Sequence, residues 1–308
     1  MKAVRLHGSG SPVLTFEDAA EPIARSGEAL VRVYAAAITP SELTWAPTWQ
    51  TANGEPRALT IPGHEFSGIV ATVNGDSDIS SGHEVFGIID DWFANGAQAE
   101  FVAAPLTGLA RKPKTVDHAQ AAVIPISGLT AWQALFDRAH LQGGQRVLVH
   151  GGAGGVGSFA VQLARWKGAD VTATASAHST ESVLRLGATM VVDYTSQRFE
   201  DVVGPVDVVI DTVGGDVLER SKRVVKPGGT IVSVASTSAS TPYFFYVRAD
   251  RRQLEELAKL VDKGLLEPLV DSVMPLSSAG DAYSHKPLKG KVVFQVVAGV
   301  QPQVAAAI

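Results

Sequence analysis

The run His150-Gly151-Gly152-Ala153-Gly154-Gly155-Val156-Gly157 follows an apolar stretch and precedes a stretch with helical periodicity. Within it, Gly152, Gly154 and Gly157 fit the pattern G-x-G-x-x-G. In that pattern one glycine makes a tight turn, the second lets the backbone approach a phosphate, and the third lets a helix meet a strand. Because an anion is stabilised at a helix N-terminus, the run predicts a dinucleotide site with its pyrophosphate on the following helix.

The two sides of this run differ in pattern. In residues 1 to about 120, short β-like runs alternate with Gly and Pro, which predicts a barrel or sandwich. These predicted strands are 2–7, 29–36, 67–73, 84–89 and 99–103. From about residue 121 onward strands alternate with helices, which predicts a parallel sheet covered by helices on both faces.

The second part has strand patterns at 146–150, 170–175, 190–194, 206–211 and 230–235, and helix patterns at 127–139, 157–166, 180–186, 217–225 and 251–263. Strand patterns then return at 269–274 and 291–297. The stretch 301–308 is predicted to be a frayed tail. The predicted fold class is therefore α/β.

Composition narrows the possible functions. The chain has 308 residues, which favours two domains. Its net charge of −5 provides no basic surface for nucleic acid or anionic lipid. It contains no cysteine, which excludes disulfides, cysteine nucleophiles and thiolate metal sites. With no signal-peptide pattern and no long apolar run, we expect a cytoplasmic protein that binds neither nucleic acid nor membrane.

The residues after the glycine run bear on the choice of cofactor. An NAD-specific fold places Asp or Glu about 20 residues later to bind the ribose 2′-hydroxyl. Here that place holds Thr174-Ala175-Ser176-Ala177-His178-Ser179, with Arg185 further on. No carboxylate is present to repel a 2′-phosphate, and Ser176 and His178 offer hydrogen-bond donors, so NADPH is favoured over NADH. The alternative is that these polar residues cap the next helix.

Several motifs occur in a fixed order along nearly the whole chain. They are Met1-Lys2-Ala3-Val4, Ile61-Pro62-Gly63-His64-Glu65-Phe66-Ser67-Gly68, Gly128-Leu129-Thr130-Ala131-Trp132, Leu186-Gly187-Ala188, Val192-Asp193-Tyr194, Asp211-Thr212-Val213-Gly214-Gly215, Lys226-Pro227-Gly228-Gly229 and Lys289-Gly290-Lys291-Val292-Val293. Together with the glycine run, they resemble the medium-chain dehydrogenase/reductase superfamily, specifically its zinc-independent, NADPH-using quinone oxidoreductase and alkenal reductase branch.

This resemblance implies a fold and an assembly. It implies a GroES-like β-barrel domain for substrate, formed by 1–120 and completed by 265–308, and a Rossmann domain with a doubly wound parallel sheet over 121–264. It also implies a homodimer. In the family, the extension of the strand after Lys226-Pro227-Gly228-Gly229 often builds the dimer interface, so residues 243–247 serve either assembly or substrate.

The resemblance also implies a set of cofactor contacts. Thr130 is expected near the nicotinamide ribose, and the glycine run on the pyrophosphate. Ser176, His178 and Tyr194 are expected around the 2′-phosphate, and Asp211, Thr212, Val213 and Ala235 along the strand ends that face the dinucleotide. The expected cofactor-binding residues are Thr130, Gly152, Gly154, Gly155, Val156, Gly157, Ser176, His178, Tyr194, Asp211, Thr212, Val213 and Ala235.

His64-Glu65 matches the Gly-His-Glu that supplies a zinc ligand in zinc alcohol dehydrogenases. Their first cysteine position falls near Thr39 here, and no cysteine exists to replace the second. A catalytic zinc site needs three converging protein ligands. The sequence therefore predicts no metal, and His64 is expected to be structural or to line the pocket.

The sequence alone does not decide which group donates the proton. Quinone oxidoreductases of this branch often have a tyrosine shortly after an Asn-Pro near the first cysteine position, where this chain has Thr44. The candidates are Thr44, the Trp45 indole, Tyr246, Ser41, Tyr243 and bulk water. We predict Thr44, Trp45 and Tyr246 as the catalytic residues.

Aromatic side chains at Trp45, Trp49 and 244–246 suit a flat apolar substrate or, equally, core or subunit packing. The sequence predicts an NADPH-dependent enzyme that transfers a hydride to a quinone or an α,β-unsaturated carbonyl. The rival hypothesis is a non-catalytic NADPH-binding redox sensor or structural protein, which the replacement of tyrosine by Thr44 favours.

Overall fold

The computed structural model describes residues 1–8, 13–235 and 239–297. Its strands are β1 Lys2–His7, β2 Val13–Asp18, β3 Glu28–Ala37, β4 Glu65–Asn74, β5 Glu84–Ile88, β6 Phe101–Pro105, β7 Leu109–Arg111, β8 Arg146–Val149, β9 Asp170–Ala175, β10 Met190–Asp193, β11 Val206–Asp211, β12 Val225–Ser233, β13 Val270–Pro275 and β14 Lys291–Gln295. Its α-helices are α1 Ala46–Trp49, α2 His118–Ala122, α3 Pro125–Trp132, α4 Gly155–Trp166, α5 Thr180–Arg185, α6 Phe199–Val202, α7 Asp216–Ser221, α8 Arg251–Asp262 and α9 Ala279–Ser284.

The first part of the chain forms a largely antiparallel sheet. Its strand order is β13-β14-β3-β4-β5-β7, and β6 pairs with the other part of β3. Strand β3 reads Glu-Ala-Leu-Val-Arg-Val-Tyr-Ala-Ala-Ala, and its buried residues alternate with less buried ones along most of its length, as expected for a strand with one face on a core. Strands β13 and β14 come from the end of the chain and complete this sheet, as the resemblance implies. The limits of the two domains stay a prediction.

The middle of the chain forms a parallel sheet with the order β10-β9-β8-β11-β12. Its central strand β8 carries Val147, Leu148 and Val149, each with 0% exposure. A strand covered on both faces requires such a continuous apolar run. Helix α4 follows β8 and buries Phe159, Ala160 and Leu163. The α/β class, with a GroES-like barrel and a Rossmann sheet, is confirmed.

Some element limits differ from those expected. Strand β6 runs from Phe101 to Pro105 instead of 99–103. The helix expected at 217–225 ends at Ser221, and Val225 already begins β12. The helix expected at 127–139 starts at Pro125, whose fixed φ suits a first helical turn, and continues as a π-helix over Gln133–Arg138. The predicted tail 301–308 lies outside the described residues.

Within the described ranges no helix has the length and apolar composition needed to cross a membrane.

Candidate active site

A cleft of about 940 Å³ lies between the barrel sheet and the Rossmann sheet. Its volume suits a small molecule together with part of a dinucleotide. One side is formed by the segment 38–47 and the other by the glycine run, with 244–247 and 290–292 closing the ends. The aromatic side chains on its wall are Trp45, Trp92, Phe244, Phe245 and Tyr246.

The glycine run makes the turn that the sequence predicts. Gly151 has φ +70°, which favours glycine. A Cβ at Gly157 would lie 2.0 Å from the Gly151 carbonyl oxygen, so only glycine lets α4 pack this closely. A Cβ at Gly152 would lie 2.8 Å from the Ala173 Cβ, so Gly152 lets the loop pack against β9.

Gly154 has a different environment. A Cβ there would meet only the Gly151 carbonyl oxygen, at 3.4 Å, so the space beside it is open. The first hydrogen bond of α4 runs from the Ser158 N–H to the Gly154 carbonyl. The amides of Gly155, Val156 and Gly157 therefore precede the helical ladder and point to the N-terminal side. This open cradle of amides at a 12-residue helix fits a pyrophosphate.

The residues expected at the 2′-phosphate gather at the ends of β9 and β10. Ser176 follows β9, and its hydroxyl lies 3.3 Å from that of Ser179. His178 is exposed. Tyr194 is 63% exposed and its N–H bonds to the Ala175 carbonyl, which brings it beside the same strand end. Their contact with a cofactor stays a prediction.

The strand-end residues have unequal roles. Thr130 and Thr212 line the cleft, and the Thr212 hydroxyl donates to the His150 carbonyl at 2.8 Å. Asp211 is fully buried, and its carboxylate accepts bonds from the amides of Val213 and Gly214 and from the Ser233 hydroxyl. The Asp211 side chain thus shapes the loop after β11, and its expected contact with the cofactor stays a prediction.

Val213 and Ala235 also lie at this edge of the sheet. Val213 is 49% exposed in the loop after β11, and Ala235, 9% exposed, follows β12. Neither is part of the cleft wall in the part of the chain that the structure describes.

The expected catalytic residues divide in the same way. Thr44, Trp45, Tyr246 and Ser41 line the cleft. The Thr44 hydroxyl, however, donates to the Ser41 carbonyl at 2.7 Å, so its proton is already used. Tyr246 is 71% exposed, and its ring makes an edge contact with Phe244.

Two further aromatic candidates lie elsewhere. The Tyr243 ring receives the Lys222 ammonium on its face. The Trp49 indole N–H donates to the Leu43 carbonyl at 2.8 Å. Neither side chain belongs to the described cleft wall, so both have packing roles there.

His64 lies beneath the cleft floor. Its ring packs against Trp45 and Trp92 at centroid distances of 6.0 and 4.9 Å, which fits the expected structural role. Its Nδ1 lies 3.4 Å from the buried Glu42 carboxylate. Glu42 also accepts hydrogen bonds from the Gly63 N–H and the Tyr283 hydroxyl. The pKa of Tyr283 is raised well above its ordinary value by burial and by the Glu42 charge.

Sequence reasoning missed a second buried group, formed by Glu65, Lys291 and Thr39. Strand β14 pairs with β3 so that Val293 lies opposite Ala37. The same antiparallel register places Lys291 opposite Thr39, and Lys291 Nζ donates to Thr39 Oγ1 at 2.8 Å. The ammonium also forms an ion pair with the fully buried Glu65 at the start of β4. Burial raises the pKa of Glu65, and the Lys291 charge opposes that shift.

This group joins both halves of the molecule. The second Glu65 carboxylate oxygen accepts the Ile126 N–H of α3 at 2.9 Å. The N–H of Gly290, which precedes Lys291, donates to the Ala153 carbonyl of the glycine run at 2.8 Å. The end of the chain therefore carries a cation to the place where the two sheets meet.

Comparisons with known proteins agree with this architecture. Residues 25–114 match the family described as "Alcohol dehydrogenase GroES-like domain", and residues 186–293 match that described as "Zinc-binding dehydrogenase". The chain is 33% identical to the NADPH-dependent alkenal/one oxidoreductase of Arabidopsis thaliana, over 86% of this chain and 70% of the relative. It is 32% identical to the 2-methylene-furan-3-one reductase of Solanum lycopersicum, over 91% and 74%. The chain belongs to the medium-chain dehydrogenase/reductase superfamily.

A solved structure narrows the position of this dehydrogenase/reductase within the superfamily. The quinone oxidoreductase from Coxiella burnetii superposes with a TM-score of 0.88 at 32% identity, covering 96% of this chain and 99% of the other. With the two reductases above, it puts the chain in the quinone oxidoreductase and alkenal reductase branch of the superfamily.

The residues of this dehydrogenase/reductase do not fit a catalytic zinc ion. The described residues contain no group of three or more His, Asp or Glu side chains suited to a metal, whereas a catalytic zinc needs three protein ligands. Thr39 replaces the first cysteine, and its hydroxyl oxygen is bonded to the Lys291 ammonium.

Proposed function

We propose that this dehydrogenase/reductase is a zinc-independent enzyme that uses NADPH to reduce a quinone or an α,β-unsaturated carbonyl. One observation carries the proposal: the open amide cradle at the N-terminus of α4 leads into a cleft walled by Trp45, Trp92 and Phe245. An anionic dinucleotide fits the first part and a flat apolar acceptor the second.

The chain's residues divide the work between the two parts. The amides of Gly155, Val156 and Gly157 bind the pyrophosphate. Thr130 and Thr212 offer hydroxyls beside the cleft, where they position the ribose and nicotinamide. The bound cofactor supplies a hydride from its nicotinamide C4.

The acceptor is held by apolar contacts. Ile38, Trp45 and Val292 line the barrel side of the cleft and exclude water from the acceptor's ring or double bond. As carbon receives the hydride, negative charge moves to the conjugated oxygen, which must meet a hydrogen-bond donor. No Lewis acid is required, because conjugation already lowers the barrier to addition.

The test is a turnover assay with purified protein. NADPH oxidation is followed with a naphthoquinone, a short alkenal and, as a control, the corresponding saturated aldehyde. We expect turnover with at least one conjugated acceptor and little with the saturated aldehyde. NADPH binding without turnover of any acceptor would favour the rival, a non-catalytic NADPH-binding protein, which the engaged Thr44 hydroxyl supports.

We also propose that the protein is a cytoplasmic homodimer. Strand β12 is the last strand at one side of the described Rossmann sheet, and the segment after it returns to pair at Phe244. The part of such an edge that has no strand beside it is a natural place for a second copy. Light scattering on the purified protein measures the oligomeric state.

A further inference from the structure

The Thr39 hydroxyl lies on the cleft wall and is bonded to a buried cation. Lys291 Nζ donates to Thr39 Oγ1 at 2.8 Å, and the Lys291 side chain is only 8% exposed. Both residues line the cleft. Since Thr39 accepts this bond, its own proton points elsewhere, and no acceptor for it occurs among the described residues.

The contact with Lys291 strengthens Thr39 as a donor. Hydrogen bonds in a chain polarise one another, and bonds from an ionised donor are the strong ones. An oxygen that accepts from an ammonium therefore gives up its own proton more readily. Thr39 is thus prepared to donate to a negatively charged oxygen in the cleft.

Glu65 holds the ammonium in place. Its carboxylate is fully buried, pairs with Lys291, and is itself held by the Ile126 N–H at 2.9 Å. A buried charge that is paired and hydrogen-bonded keeps its geometry, because separation from its partner would leave an uncompensated charge inside the protein. Lys291 therefore stays against Thr39 instead of turning to solvent.

Two of the hydroxyls predicted as proton donors are less well prepared. The Thr44 hydroxyl donates to the Ser41 carbonyl, and Tyr246 is 71% exposed beyond Phe244. The geometry points to Thr39 as the catalytic residue that donates to the oxygen of the conjugated carbonyl, with Lys291 as the residue that positions and polarises it. This inference rests on the proposed function.

Reduction of the conjugated carbonyl takes up one hydride and one proton. The acceptor's conjugated carbon gains a hydride, NADPH becomes NADP⁺, and the carbonyl oxygen becomes an enolate oxygen. The Thr39 O–H proton passes to that oxygen, and the Lys291 ammonium returns a proton to Thr39. The resulting amine is reprotonated by a solvent proton that reaches it through water in the cleft, so no hydroxide is left behind. The product enol then becomes the saturated carbonyl, so the acceptor, NADPH and one proton give the saturated carbonyl and NADP⁺.

The first test compares Thr39→Val with Thr39→Ser, which keeps the hydroxyl. We expect Thr39→Val to lower kcat for a short alkenal about 100-fold, as loss of one oxyanion donor does, and Thr39→Ser to restore most of it. The matched control is Thr107→Val, an exposed threonine of the barrel. Circular dichroism and NADPH titration verify that each variant is folded and loaded.

The second test needs no turnover. A nitrophenol is bound to the NADP⁺-loaded protein, and its phenolate absorbance is titrated against pH. A polarised donor at Thr39 stabilises the phenolate, so the bound ligand ionises at lower pH in the wild type and Thr39→Ser than in Thr39→Val. A purely structural Thr39 leaves the three titrations identical.

Lys291 is tested without leaving a lone buried charge. The double variant Glu65→Gln/Lys291→Met removes both charges together, which avoids the penalty of a single removal. We expect it to shift the phenol titration in the same direction as Thr39→Val while retaining NADPH binding.

The outcomes separate the two proposals. If the wild type reduces alkenals and Thr39→Val retains kcat within about twofold with an unchanged phenol titration, the inference about Thr39 is overturned and the proposed function stands. If the wild type reduces no conjugated acceptor, the proposed function fails, and the phenol titration alone decides whether Thr39 is a polarised donor.

Discussion

The Tyr283 hydroxyl of α9 donates a hydrogen bond to the Glu42 carboxylate. Glu42 belongs to the segment 38–47, which forms one side of the cleft. Glu42 is 1% exposed and also receives the Gly63 N–H at 2.8 Å. Gln98 donates to Tyr283 at 2.7 Å, so three separate segments meet at one buried carboxylate. Helix α9 is thereby held against the segment that forms this side of the cleft.

Removal of this bond is expected to destabilise the protein. Tyr283→Phe leaves a buried Glu42 oxygen with fewer donors, which costs about 1–3 kcal/mol. Urea unfolding measures the change, with Tyr194→Phe as the control because Tyr194 is 63% exposed. Equal free energies of unfolding for the two variants would show that the hydrogen bond between Tyr283 and Glu42 does not stabilise the protein.

Alanine substitutions at two positions of the glycine run should have different effects. Gly157→Ala places a methyl 2.0 Å from a backbone oxygen, so we expect a loss of about 1–3 kcal/mol in stability. Gly154 has φ −73° and ψ 177°, which alanine accepts, so Gly154→Ala should fold and lose NADPH affinity. Thermal unfolding and fluorescence titration distinguish the two effects.

Gly280→Ala is the matched control for both. No atom lies within 4 Å of a Cβ at Gly280, which is inside helix α9. Alanine there should leave NADPH affinity unchanged and alter stability by less than about 1 kcal/mol. Identical behaviour of all three variants would remove the assignment of the pyrophosphate to this run.

The absence of an acid after β9 predicts cofactor choice. Ser176→Asp puts a carboxylate where the 2′-phosphate is expected, so we expect NADPH to lose about tenfold or more in affinity, equivalent to about 1.4 kcal/mol, while NADH binding is kept or improved. Ser277→Asp, an exposed serine of the barrel side, is the control. An unchanged ratio of NADPH to NADH affinity in Ser176→Asp would place the 2′-phosphate elsewhere.

His150 makes stability depend on pH. Burial lowers its pKa from 6.5 to about 4, and Asp211 opposes this shift. Between those values the unfolded chain binds a proton that the folded chain does not, so stability present above pH 6.5 is lost as the pH falls towards 4. The loss is about 3 kcal/mol.

The corresponding variant is His150→Gln, which cannot be protonated. Urea unfolding at several pH values should show the wild type losing stability relative to His150→Gln as the solution is acidified. Parallel pH profiles would mean that folding does not lower the pKa of His150.

The features that sequence reasoning reached are local ones. Gly151 to Gly157 carry a turn, an open cradle and a close helix contact within one short stretch, and each effect depends on glycine alone. The apolar run of β8 likewise indicates, without reference to any other segment, that this strand is buried. The parallel sheet and the phosphate helix could therefore be predicted.

The features it missed depend on pairing between distant residues. Lys291 and Glu65 are separated by 226 positions, and only the register of β14 on β3 and of β3 on β4 brings them together. Trp92 lies on the cleft wall but belongs to a loop whose sequence has no periodicity. Trp49 does not belong to the described cleft wall, and its indole N–H donates to the Leu43 carbonyl. The one sign of this ion pair was that a charged residue, Glu65 or Lys291, stands at the first position of each of two strands and is buried.

The proposed hydride transfer is tested most directly with NADPH deuterated at the nicotinamide C4 and a short alkenal. The proposal predicts that deuterium appears at the β-carbon of the saturated aldehyde, as measured by mass spectrometry and NMR. Oxidation of NADPH with deuterium absent from that carbon, or binding of NADPH with no reduction of any conjugated acceptor, would contradict it.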